Sequence, residues 1–188
     1  MTQKGLSIVK NKFPLVMKLT ALLTAAATAL LMMLYLRIGH SGLLSAAISF
    51  GTTCYHFSMR LLVGALVPPI KDDHPWFRQR KWENAFYRFL RVKNWKKHLP
   101  TYDPRQFSLE ENTPQQVIAN MRHAEIVHWI IVLCSFLPLV SVPFLGSFPV
   151  FAITSLLAAM FDGLFIIAQR YNRPRMERIF KKKGAAPF

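Results

Sequence analysis

The chain reads as an all-α, polytopic membrane protein, a single membrane domain with four transmembrane helices and one amphipathic helix lying in the membrane plane. Three observations point there. Of 188 residues 52% are hydrophobic, yet the formal net charge is +15, and a soluble globular domain seldom combines the two. The apolar residues gather into four stretches, 14–36, 43–67, 126–145 and 149–168, each long enough to cross a hydrocarbon core of about 30 Å. The basic residues gather beside them, with eleven Lys and Arg from Lys71 to Arg122, seven from Arg170 to Lys183, and Arg37 alone between the first two stretches. By the positive-inside rule both termini, the interfacial region 68–122 and the basic tail 169–188 face the cytoplasm of a multi-pass cell-membrane protein. Because the charge flanks spans, anionic lipid headgroups are the expected counterions, and nucleic acid is not.

The first span is the least chemical. Thr20, Thr24 and Thr28 recur every fourth residue among alanines, a small-residue ridge that lets a neighbouring helix approach closely. Its apolar run continues through Met32, Met33 and Leu36, too long for a cleaved signal peptide. A short turn through His40 makes spans 1 and 2 antiparallel neighbours. The second span carries a polar stripe, because Ser49, Thr52, Thr53, His56 and Arg60 project within about 100° of arc. Arg60 lies roughly 10 Å inside the expected end of the helix, where a lipid-facing guanidinium would cost several kcal/mol unless it snorkels.

Pro68 and Pro69 stop that helix and open the central region. From Arg78 to Lys93, Trp82, Ala85, Phe86, Phe89 and Leu90 form one apolar face and basic residues the other, the pattern of a helix floating in the headgroup plane. A basic, Trp-containing segment through Trp95, Lys96 and Pro100 follows, and the helix entering the membrane starts near Thr113 with Pro114 in its first turn. Pro138 and Pro143 kink that third span near its far side.

The stretch from Met121 to Trp129 holds the densest chemistry. Arg122, Glu125, His128 and Trp129 share about a third of a helix circumference at the mouth of an apolar run. A carboxylate three residues before an imidazole can accept its N–H and raise its basicity, the orienting half of a general-base pair. A helix-end salt bridge from Glu125 to Arg122 competes with that reading. Span 4 places Ser155, Asp162 and Gln169 on one face at seven-residue spacing. Asp162 lies eight residues before Arg170 and Arg60 eight before Pro68, so the two opposite charges sit at matching depth and should pair.

Turning the polar faces inward collects His56, Arg60, Glu125, His128 and Asp162. No serine-nucleophile motif, phosphate-cradling glycine loop or cysteine-based metal motif accompanies them, and Cys54 and Cys134 both fall inside spans. Acid–base transfer remains, with no cofactor. Two readings compete with it. One is a zinc site built from His56, His128 and a carboxylate, which would make a lipid hydrolase. The other is a non-catalytic membrane scaffold whose buried polar residues only lock the bundle.

Scattered segments from the second span onward add a resemblance. They are Tyr55-His56-Phe57 to Arg60, Glu83 with Tyr87, Val92-Lys93-Asn94-Trp95-Lys96 with Leu99-Pro100, Ala124-Glu125 with His128-Trp129, and Gln169 to Arg175. Together they resemble the glycosyl-4,4'-diaponeurosporenoate acyltransferase family of small bacterial membrane proteins. The resemblance implies transfer of a fatty acyl group from a donor co-substrate to a sugar hydroxyl of a glycosylated carotenoid or similar glycolipid. On that footing His128, oriented by Glu125, would take the acceptor proton, and His56 or Arg60 would stabilise the oxyanion. Arg170, Arg173 and Arg175, with Lys93, Lys96 and Lys97, would hold a phosphate-bearing acyl donor, and Trp95, Tyr171 and Asn172 would join them in binding substrate, against the simpler reading that the cations are the positive-inside flank and anchor the chain to the membrane.

Overall fold

Two antiparallel helix pairs make the frame, and local sequence sets where each helix starts and stops. The computed structural model describes residues 12–70 and 74–182, and among these it contains no strand. Lys4, Lys10, Lys71 and the tail from Lys183 onward lie outside the described residues. Helix α1 (Phe13–Ile38) ends where Gly39 takes φ 73° and returns its N–H to the Tyr35 carbonyl, a left-handed cap that glycine adopts without a Cβ clash. His40 then caps α2 (Ser41–Leu66), its Nδ1 accepting from the Gly42 N–H at 3.2 Å. The expected small-residue ridge lies in this hairpin. Gly51 packs against the Thr28 methyl, and the Thr24 hydroxyl donates back to the Thr20 carbonyl at 2.7 Å, so its polar atom is satisfied within α1.

The second pair is α5 (Pro114–Cys134) against α7 (Phe148–Lys182). Helix α5 begins as expected: Thr113 is the N-cap, Pro114 fills the first turn, and Gln116 completes a reciprocal capping box. It stops at Cys134, short of the residue-145 limit, because prolines break the pattern there. A 3-10 turn (Leu137–Ser141) containing Pro138 and the short α6 (Val142–Leu145) containing Pro143 follow, and Gly146 and Ser147 reverse the chain with positive φ. Helix α7 runs on without a break from the fourth expected span into the basic tail. Pro174 inside it removes the backbone donor that would serve the Arg170 carbonyl, and the Arg175 guanidinium donates to the neighbouring Tyr171 carbonyl.

Three stretches, Phe13–Ile38, Pro114–Leu145 and Phe148–Lys181, are long and apolar enough to cross a membrane, three where four were expected. The difference is α2. Its 26 residues suffice in length, but the stripe of Ser49, Thr52, Thr53, His56 and Arg60 lowers its hydropathy. Two boundaries also move, since residues 114–122 and 169–182 are continuous with α5 and α7. Large apolar side chains on the bundle exterior stand in the open, Leu22, Leu133 and Phe144 among them, as a lipid-facing surface requires.

The amphipathic helix expected over 78–93 is broken in two. Helix α3 (Glu83–Phe89) ends at Leu90, and Arg91 adopts φ 51° before α4 (Val92–Trp95). A non-glycine residue in that region is held there at a cost of about 1 kcal/mol or more. Trp82, Phe86 and Phe89 do form an exposed apolar face. On the other side Arg80, Arg88 and Arg91 are exposed as expected, but a strip of that side, Glu83 and Tyr87, is buried against the bundle. Tyr87, Val92 and Tyr171 make a small core with Leu90, Trp95 and Ile167, which docks α3 and α4 onto α7.

Candidate active site

The antiparallel run of α5 against α7 brings polar groups together in two layers. The outer layer is closed upon itself. Glu125, fully buried, accepts from Arg170 Nη1 at 2.7 Å and from Arg173 Nη1. Arg170 also reaches Glu83 Oε1 through Nη2 at 2.5 Å and Nε at 3.1 Å, and the Tyr87 hydroxyl donates to Glu83 Oε2 at 2.8 Å. Burial, and then that bond to Glu83, pushes the Tyr87 phenol well above its ordinary value. Arg173 spends its second amino group on the Phe77 carbonyl, and Arg170 reaches the Trp76 carbonyl at 3.3 Å. Two carboxylates face two guanidiniums, so the layer is neutral and ties α3, α5, α7 and the 75–78 turn into one unit.

Glu125 therefore does not orient His128, as its position three residues earlier had suggested. Two guanidiniums from α7 bind a buried carboxylate more strongly than a neutral imidazole can. Arg122 lies over the Phe77 ring and 3.9 Å from Glu177, and among the described residues the ion pairs of Glu125 go to Arg170 and Arg173. Arg170 and Arg173, expected to meet substrate, are committed to this network.

The inner layer lies about one helical turn deeper. His128 Nδ1 is 2.9 Å from Asp162 Oδ1, and the ring stacks on Phe165 with centroids 4.6 Å apart and planes 11° from parallel. The other oxygen of Asp162 takes the Arg60 guanidinium, the pairing that matching depth had suggested. Arg60 also donates to the Ala158 carbonyl at 3.1 Å and to the His56 carbonyl at 2.9 Å. Asp162 is 1% exposed and His128 partly open. With Nδ1–H donating to Asp162, the lone pair lies on Nε2, the tautomer a general base needs. His56 is buried next to Tyr55, and neither of its ring nitrogens has a partner among the described residues. The Ser155 hydroxyl, on the Asp162 face of α7, is likewise buried and unpartnered.

Zinc does not suit this donor set. Among the described residues no three His, Cys, Asp or Glu side chains meet in a group that could hold a metal. Both Asp162 oxygens are already engaged. The remaining expected substrate contacts lie elsewhere: the Trp95 indole N–H donates to the Leu90 carbonyl at 2.8 Å, Lys96 pairs with Asn172, and both Lys96 and Arg175 sit over the Tyr171 ring. Sequence reasoning left Glu83 out of the site. The four-residue step from Glu83 to Tyr87, which puts both on the buried face of α3, was the signal available.

Curated proteins and solved structures offer no match to this chain. A family model does, over residues 73–182, a range that contains Glu83, Tyr87, Glu125, His128, Asp162, Arg170 and Arg173 but not His56 or Arg60. The match spans more than half of the chain, which therefore belongs to the glycosyl-4,4'-diaponeurosporenoate acyltransferase family, whose name denotes acyl transfer in carotenoid biosynthesis.

Proposed function

We propose that the protein is a membrane acyltransferase that moves a fatty acyl group onto a sugar hydroxyl of a glycosylated carotenoid or related glycolipid, with His128 as general base and Asp162 as the group that orients it. The observation carrying this reading is the His128–Asp162 hydrogen bond, which among the described residues leaves the second imidazole nitrogen unengaged, with the ring stacked on Phe165. The acceptor oxygen attacks the acyl carbonyl carbon while Nε2 takes its proton. The tetrahedral intermediate then collapses, the bond to the donor's oxygen or sulfur breaks, and the imidazolium returns the proton to that leaving group. Arg60 supplies the counter-charge to the Asp162 carboxylate inside the bundle. Neutral His56 offers an N–H to the developing oxyanion or to the acceptor hydroxyl, and its unpartnered nitrogens support that role.

In this reading the chain lies in the cell membrane as a multi-pass protein, with its basic end and both termini at the cytoplasmic face. The experiment is lipid mass spectrometry on membranes carrying the wild-type protein, His128→Ala or Asp162→Asn, each checked for folding and insertion. Loss of acylated product by about 10²-fold or more in His128→Ala is expected. Undiminished product from a folded His128→Ala protein would discard the base. It would favour the scaffold reading, which the self-satisfied outer layer of Glu83, Glu125, Arg170 and Arg173 already suits.

A further inference from the structure

On the face of α7 turned away from the His128 layer, a cleft of about 560 Å³ opens between α3, α4 and α7. Arg88, Arg91, Lys93 and Arg175 line it beside Tyr171 and Asn94, and no carboxylate does. Among the described residues none of these four cations makes an ion pair, in a chain where Arg60, Arg170 and Arg173 each do. Two of the four, Arg175 and Arg91, are held in place. Arg175 is pinned with its guanidinium carbon 3.4 Å from the Tyr171 ring centroid and one amino group on the Tyr171 carbonyl, leaving its other donors unengaged. Lys96 lies against the same ring, and burial followed by repulsion from Arg175 lowers its pKa. Arg91 is held with φ 51°, a conformation glycine or asparagine would take more cheaply, at the hinge that aims the α3–α4 cations into one space.

Converging cations without a counter-charge, planar guanidiniums and two amide side chains are the donor set that phosphate oxygens fill. We propose that this cleft binds a phosphate mono- or diester, supplied by a phospholipid headgroup or by a soluble phosphate-bearing molecule, with Arg88, Arg91, Lys93 and Arg175 as its donors. The site is separate from the proposed chemistry at His128, and its occupancy is measured without any acyl-transfer assay. An exposed Phe89 beside Arg88 places the cleft where a headgroup could reach it.

The test uses the full-length protein purified in a neutral detergent and titrated calorimetrically with three probes: phosphatidylglycerol in mixed micelles, inorganic phosphate and adenosine 3',5'-bisphosphate. Saturable binding is expected, weakened about tenfold in Arg88→Gln and in Arg91→Gly, and unchanged in Arg105→Gln, which removes an exposed charge outside the cleft. Arg91→Gly also relieves the backbone, so its unfolding temperature should not fall, and Lys93→Gln provides a second variant that leaves the backbone alone. Binding of phosphatidylglycerol without competition from the soluble probes assigns the headgroup, and binding of either soluble probe assigns the free phosphate. Absence of saturable binding by all three, or equal weakening in Arg105→Gln, overturns the proposal and leaves only a diffuse basic surface.

Discussion

At the scale of the residue, Glu125 and Asp162 are both buried carboxylates, yet their partners give them opposite expected phenotypes. Glu125 holds two guanidiniums, so Glu125→Ala leaves uncompensated buried charge and should cost about 3 to 5 kcal/mol, read as a drop in the unfolding midpoint in detergent. Asp162→Asn in a protein that still folds should instead depress acyl transfer, because the amide can present the wrong hydrogen-bonding group to Nδ1. Tyr87 adds a pH signature. Its phenol is raised in the fold, so its stabilising contribution is fully present below the unfolded value of about 10 and is lost as pH climbs through the higher folded value. The unfolding midpoint measured from pH 8 to 11.5 should therefore fall more steeply for the wild type than for Tyr87→Phe. The sequence carried the Arg60–Asp162 pair because both charges could be counted from helix ends. It did not carry the true partner of His128, since spacing within one helix is blind to what a second helix brings.

At the scale of the element, punctuation was legible wherever it is chemical. Thr113, Pro114 and Gln116 announce the start of α5, and Thr113→Ala should cost about 1 kcal/mol by freeing the first-turn N–H groups, measurable in the same unfolding assay. Gly39 announces the end of α1 in the same way. The break at Arg91 has no such marker, since nothing in an arginine signals a left-handed backbone, and a single amphipathic helix was the natural reading of 78–93. Helix α7 shows the reverse error. Its span was expected to end at residue 168, but the docking of Tyr171 on Tyr87 and the contact of Arg173 with Glu125 carry the helix on through Pro174.

At the scale of the whole molecule, the all-helical class and the segregation of charge from apolar length followed from composition, whereas the number of membrane-competent helices did not. Counting apolar length overlooked how far one polar face lowers the mean for α2, and that face is where the inner layer recruits His56 and Arg60. A related consequence concerns how the family-matched part can be handled. Residues 73–182 excised as an autonomous fragment would keep Asp162 and His128 but lose the Arg60 guanidinium, leaving a buried carboxylate without its counter-charge. Such a fragment should purify poorly, and co-expression with residues 1–70 as a separate chain should restore it. The smallest piece worth expressing therefore begins upstream of the hairpin, at a boundary that sequence similarity alone would have drawn too late.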